Sequence, residues 1–388
     1  MKRILTAIAA AAALYALFVT WRQNEQAAGL DFYIYYVNAQ LPARADVDNI
    51  YSAETQERIG EEYYARAQSG PSELRKYDAT RRRRLDNVSS PFLYTTLSLA
   101  QSMSSRDYDV ALRQYHALVL FAFVAGVILI SRRAGLSWAS ALFLLAALLL
   151  WYRGFEADLR VGNVNSLQLL MIGAALSTPP LLSGVILGLL VAFKPNLILL
   201  AIFLGVWRWK RIAGIAIGGV IAFVAAAINY GSFHVWLQWI GAANQFWHRL
   251  QTRAERNVAP ALLLFQEHGT WLSYVIAAVL VAIVCIAIAR AKQRDEPLLA
   301  GLAILIYLIS APVVWLHYMV LVLPLAIALL RWKWTAIVSI IALAMIAEEP
   351  FELLFRTPVY PNDAMLITPA LLALFACGVW SYTHPRAG

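Results

Sequence analysis

The chain has 388 residues, of which 61% are hydrophobic and only 14% charged, with a mean hydropathy of +0.61. Soluble domains carry about 25% charged residues, so the composition excludes a water-soluble globular protein and indicates a membrane protein. The net charge of +9 fits anchoring charge on cytoplasmic loops; no nucleic-acid module is visible, and no nucleic-acid partner is expected.

The chain opens with Lys2-Arg3 and the apolar run Ile4 to Val19. The small-residue cleavage pattern is weak and the run is longer than a usual signal-peptide core, so it reads as an uncleaved first span. Further apolar segments follow at 111–131, 135–152, 163–177, 183–193, 196–207, 212–229, 271–290, 298–311, 316–330, 334–347 and 364–381. A span needs about twenty apolar residues, fewer where it is buried in protein or interrupted. The expectation is therefore an all-α polytopic membrane protein of about 12 transmembrane helices, a single unit over 1–388. The pair flanking Lys194-Pro195-Asn196 reads either as two half-spans or as one broken helix. Cys285 and Cys377 lie inside apolar runs, which argues against a disulfide framework or a zinc cluster.

Charge sets the expected orientation. With the N-terminus inside, the short inner connections hold Arg132, Arg133, Arg208, Lys210, Arg211, Arg290, Arg294, Arg331 and Lys333. Among the acids only Asp295 and Glu296 fall on that side, the bias expected of cytoplasmic loops. The reading is a multi-pass protein of the cell membrane with both termini cytoplasmic. It has a long extracytoplasmic first loop at 22–110 and a second extracytoplasmic loop at 230–270.

The first loop is rich in Tyr, Glu and Arg, with a helical pattern at Ala53–Gln68. Its Arg81-Arg82-Arg83-Arg84 run reads as a solvated or headgroup-facing stretch in preference to a substrate-phosphate site. In the second loop Trp236, Trp239, Ile240, Ala243 and Trp247 recur at helical spacing, which suits a helix on the membrane surface or one packed on the bundle. The last outer segment, 348–363, is acidic and punctuated by prolines.

Ionisable groups near or inside the membrane are costly unless paired or wetted, so they mark candidate chemistry. Asp31 stands just past the first span in Gly29-Leu-Asp-Phe-Tyr-Ile-Tyr-Tyr-Val-Asn-Ala39, as a candidate catalytic acid or a helix cap. Lys194 sits between apolar runs beside Pro195, which breaks the helix and frees backbone groups to line a cavity; the alternative is a lysine snorkelling to the interface. His317, in Trp315-Leu-His317-Tyr, has no second histidine at metal spacing, and no metal or cofactor is expected. The turn Arg160-Val-Gly-Asn163-Val-Asn165 opens a helix whose free N–H groups, with Arg160 beside them, suit an anion; the alternative is an ordinary Gly/Asn helix start.

In order along the chain, these pieces resemble glycosyltransferase family 87. The matching stretches are Asp31-Phe-Tyr-Ile-Tyr-Tyr, Ser90-Pro91-Phe-Leu-Tyr, Arg160-Val-Gly162-Asn163-Val-Asn165, Gly184-Val-Ile-Leu-Gly188 with Lys194-Pro195-Asn196, Arg256-Asn257-Val-Ala-Pro-Ala and Trp315-Leu-His317. The chain departs from the family pattern in having Asn163 where Gln is usual and Tyr318 after His317 where a second His is usual.

The resemblance implies a GT-C-like bundle, similar to α-mannosyltransferases. It implies transfer of a sugar from a polyprenyl-phosphate donor to a glycolipid or glycan hydroxyl on the extracytoplasmic face, by inverting displacement. Asp31 would be the base, which fits the need for a carboxylate ionised near neutral pH. Lys194, Arg160 and His317 would hold the donor phosphate, and Tyr35, Asn163, Asn165, Asn257 and Trp315 would bind substrate. A transporter or lipid flippase is the competing class, since broken helices serve there too. An arabinosyltransferase of the same superfamily is the nearer alternative.

Overall fold

Each apolar segment is helical over most of its length in the structure, a computed structural model that describes residues 2–102, 107–250, 257–261, 269–291, 293–347 and 363–384. The helices are α1 (Lys2–Gln23), α2 (Leu30–Asn38), α3 (Ala53–Gln68), α4 (Glu73–Arg81), α5 (Pro91–Ser102), α6 (Tyr108–Arg133), α7 (Trp138–Trp151), α8 (Arg153–Val161) and α9 (Asn165–Ser177). They continue with α10 (Pro180–Phe193), α11 (Ile198–Gly205), α12 (Trp209–Tyr230), α13 (His234–Leu250), α14 (Gly269–Arg290), α15 (Glu296–Ser310), α16 (Leu323–Leu329), α17 (Lys333–Ala347) and α18 (Asp363–Thr383). The only strand-like pairing among the described residues is an isolated antiparallel bridge, Asn257 with Trp315.

Among the described residues, five helices are long and apolar enough to cross a membrane alone: α1, α6, α12, α14 and α18. A sixth span arises if α7 and α8, which meet at 63°, form one broken crossing. The remaining apolar helices are shorter, 10–17 residues. Their position explains why they tolerate that length. α15 and α16 are apolar all round and buried on nearly every side, so they are solvated by protein and need not match the lipid. By contrast α1, α12 and α14 leave large side chains such as Phe18, Ile228 and Val279 on the outside.

α10 and α12 touch backbone to backbone through two glycine pairs. A Cβ on Gly184 or Gly188 would run into the carbonyls of Arg211 or Ile215, and one on Gly214 or Gly218 into those of Leu181 or Val185. Small residues four apart on both helices permit this close approach, which gives the Gly184-x-x-x-Gly188 stretch a packing role. α10 then ends at Lys194, whose backbone is extended (φ −151°, ψ 106°), and a 3-10 turn over Pro195–Leu197 leads into α11. The segment 183–207 is thus two helices separated at Lys194.

The stretch 22–110 is not an irregular loop. Besides α3, which has the expected bounds, it holds α2, α4, α5 and a short 3-10 turn. Ser52 and Ser72 cap α3 and α4, each accepting from the backbone N–H three residues on. In the second outer loop α13 packs on the bundle: the Trp239 indole donates to the carbonyl of Val88 and that of Trp236 to Phe223, while Leu237 and Ile240 stay exposed. Arg256, the stretch 348–362 and the side chains of Trp247 and His248 lie outside the described residues.

Polar groups gather at two ends of the bundle. At one, Arg211 (buried), Arg208 and Arg133 surround Glu296 at 3.2, 3.2 and 3.7 Å, and Arg331 pairs with Asp295 at 2.7 Å. The short connections read above as lying on one side therefore do converge. α15 runs from this cluster toward the other end, about 22 Å away at 1.5 Å per residue. There Asp31, Asn163 and Lys194 meet.

Candidate active site

Three chain breaks build this second cluster. The first is the start of α2. Gly29 precedes it, and no side chain of α2 caps its own N-terminus. Phe32 packs against Tyr115 at a tilt (ring centroids 4.8 Å), and Asp31 beside it is half-buried. One carboxylate oxygen, Oδ1, accepts from Arg82 Nη2 at 2.8 Å, and Oδ2 accepts from Asn163 Nδ2 at 2.6 Å. Asp31 is thus a tertiary contact and not a cap.

The second break is the turn between α8 and α9. Gly162 has φ +67°, and a Cβ there would stand 2.7 Å from Phe32 Cβ, so only glycine lets this turn bed against α2. Gly162→Ala is expected to cost about 1–2 kcal/mol for the backbone alone and a further ~1–3 kcal/mol for overpacking. A thermal unfolding scan in detergent checks this; an unchanged midpoint would contradict it.

The N-terminus of α9 is already filled. Buried Asp158 accepts from the N–H groups of Asn165 (3.3 Å) and Ser166 (2.9 Å), from Asn165 Nδ2 (2.9 Å) and from Ser166 Oγ (2.6 Å), while Asn163 Oδ1 accepts from the Val164 N–H. A carboxylate from the chain itself therefore sits where an exogenous anion was expected.

The third break is Lys194. Pro195 supplies no N–H, and the end of α10 is completed from outside: the Ser90 hydroxyl lies 2.6 and 2.9 Å from the carbonyls of Ala192 and Phe193, and accepts from Leu93 N–H at the head of α5. Lys194 Nζ then donates to Asn163 Oδ1 and Asn165 Oδ1, each at 3.4 Å, and lies 4.4 Å from the ring centre of Tyr318. It is held inside the protein by amides and an aromatic face, unlike a snorkelling lysine.

His317 arrives on a 3-10 turn, Leu316–Val322, that follows buried α15. It lies in electrostatic reach of Asp31, Lys194 and Arg82. Asn257 fixes the approach to this turn with every group it has: Nδ2 donates to the Pro312 carbonyl (2.8 Å), and Oδ1 accepts from Val314 and Ala259 N–H. Its side chain is committed to backbone, and the bridge it makes carries Trp315, so both act on the placement of His317. Tyr35, one turn after Asp31, is buried beside Tyr94 and in electrostatic reach of Asp31.

The structure therefore joins Asp31, Asn163, Asn165, Lys194 and His317, with Tyr35 in the adjoining wall. It does not bring in Arg160, whose guanidinium is 63% exposed and pairs with Glu156 one turn earlier, at 3.3 Å. Arg82, from the run read as solvated, joins the cluster instead, paired with Asp31 at 2.8 Å. Among the described residues no three His, Cys, Asp or Glu side chains are grouped as metal ligands would be.

A carboxylate with two ordered donors can accept a proton, and the ammonium tied to it through Asn163, with an imidazole in electrostatic reach, can stabilise a developing anion beside it. The sequence model of glycosyltransferase family 87 matches residues 90–314, more than half of the chain. The chain belongs to glycosyltransferase family 87. The family-87 match covers Arg160, Asn163, Asn165, Lys194 and Asn257, while Asp31, Tyr35, Arg82, Trp315 and His317 lie outside it and are joined to it by the contacts above. No curated protein and no solved structure matches the chain. As a family-87 member it is a membrane glycosyltransferase, a multi-pass protein that takes a sugar donor and an acceptor. The break at Lys194-Pro195 is accordingly part of an enzyme and not a transporter gate.

Proposed function

We propose that this transferase moves a sugar, mannose in the first instance, from a polyprenyl-phosphate donor to a hydroxyl of a glycolipid or glycan acceptor. The fold would be a GT-C-like bundle in which the shorter helices complete about twelve crossings, with both termini cytoplasmic. The observation that carries the reading is the link Asp31–Asn163–Lys194, a carboxylate and a cation tied through one amide at 2.6 and 3.4 Å.

In this reading Asp31 takes the proton of the acceptor hydroxyl as its oxygen attacks the anomeric carbon. The bond from that carbon to the phosphate oxygen breaks with inversion, and the leaving polyprenyl phosphate gains one negative charge. Lys194 and His317 face that charge, and Arg82 balances Asp31. Fixed cations in a partly dry site favour the transition state over the ground state. The charge of the short connections supports an extracytoplasmic Asp31 end: Arg133, Arg208 and Arg211 gather around Glu296 at the opposite end, the bias expected of cytoplasmic loops.

The test is a transfer assay with purified protein in proteoliposomes, comparing polyprenyl-phosphate-mannose with a nucleotide-linked mannose against a glycolipid extract. Transfer from the lipid-linked donor alone is the expected result. Transfer from the nucleotide sugar alone would overturn the donor assignment.

A further inference from the structure

Helix α4 grips the first turn of α2 at two points. Asp78, fully buried, accepts from the Gly29 N–H at 3.2 Å and from the Tyr108 hydroxyl at 2.7 Å. One helical turn later Arg82, whose own N–H bonds back to the Asp78 carbonyl at 2.9 Å, donates Nε to the Leu30 carbonyl (3.3 Å) and Nη2 to Asp31 (2.8 Å). Three consecutive residues, Gly29, Leu30 and Asp31, are thus bonded by two side chains, one within α4 and one from the residue that ends it.

The helix is itself anchored. Ser72 at its head donates to Asp109 at 2.5 Å, and the chain after it is pressed onto α3, where any Cβ on Gly60 would run into the Arg83 carbonyl. Leu85 beyond it is buried. Burial raises the Asp78 carboxyl to about 6, opposed by the Tyr108 and Gly29 hydrogen bonds and by Arg82. It is therefore a carboxylate at neutral pH and accepts both bonds. A buried charge of this kind is retained only where its bonds are worth its desolvation.

We propose that Asp78 is a positioning residue of the transferase, holding the start of α2 so that Asp31 stays on Asn163 and Arg82. It touches no substrate and acts through Gly29 and Tyr108. The inference rests on Asp31 being the catalytic carboxylate, but its test does not depend on activity alone.

The experiment is hydrogen–deuterium exchange by mass spectrometry on the full chain in detergent, with Asp78→Ala, Asp78→Asn and Tyr108→Phe. Asp78→Ala is expected to speed exchange over residues 29–33 by tenfold or more while α9 and α15 stay within twofold. Asp78→Asn, which keeps an acceptor for Gly29, is expected to stay close to the native rates, and Tyr108→Phe to fall between. With polyprenyl-phosphate-mannose as probe, kcat is expected to fall about tenfold in Asp78→Ala at unchanged donor KM and to recover in Asp78→Asn.

Exchange at 29–33 that does not change, or that rises equally in every helix, would overturn the proposal. If Asp78→Ala does not fold, Tyr108→Phe decides by the same local comparison. A native protein inactive on the probe would count against the donor reading, while the exchange data still judge the clamp.

Discussion

Asp31→Asn is expected to lower sugar transfer by about 10²–10⁴-fold, the range that a positioned general base contributes. The amide has the size of the carboxylate but takes no proton from an attacking hydroxyl. Donor affinity is expected to change little, because the proposed phosphate contacts are Lys194 and His317 and do not include Asp31. Initial rates and donor binding measured on the same preparation separate the two effects. Full activity in the variant would remove Asp31 as base.

Lys194→Ala is expected to act on the other substrate. Removing one hydrogen bond to a charged group costs about 1.5–3 kcal/mol, so donor binding should weaken by roughly 10- to 100-fold. Lys194→Arg is not expected to restore it: the ammonium is held 3.4 Å from two amide oxygens and 4.4 Å from the Tyr318 ring centre, partners arranged around a compact point charge and not along a planar fork. Arg160→Gln is the control. Its guanidinium is exposed and paired only along its own helix, an interaction worth ~0–1 kcal/mol, so donor affinity should stay within about twofold. A loss with Arg160→Gln comparable to that with Lys194→Ala would mean that the phosphate lies nearer α8 than α10.

Much of the fold was legible because lipid and protein interior impose the same demand, a long apolar helix. The bounds of α1, α6 and α12 follow from hydropathy to within a few residues. The outer stretch was less legible. α2 is a nine-residue helix, buried from Phe32 to Asn38, without the polar face that makes a short helix visible in sequence. α4 is highly polar, and its role depends on Asp78 within it and Arg82 at its C-terminal cap pointing inward, a tertiary fact.

The candidate cluster was legible where backbone chemistry forces the local geometry. Pro195 breaks a helix wherever it stands, which marked Lys194, and a glycine before Asn163 marked a tight turn. The misplacement of Arg160 has a helical cause. Asp158 and Arg160 are two residues apart on α8, about 200° around the axis, so only one of them can face the cluster, and it is Asp158 that is buried. Arg82 was missed for the opposite reason. In a run of four arginines charge alone cannot say which one turns inward; the backbone seated on Gly60 does.

In the proposed reaction the sugar leaves its phosphate between Asp31 and Lys194. An experimental structure with a non-hydrolysable polyprenyl-phosphate-sugar analogue tests it most directly, through the position of the phosphorus atom. The expected result is phosphate oxygens within hydrogen-bond distance of Lys194 Nζ and His317, with the anomeric carbon turned toward Asp31. A phosphate bound at the Arg133–Arg208–Arg211 end, with the Asp31 cluster unchanged, would contradict it.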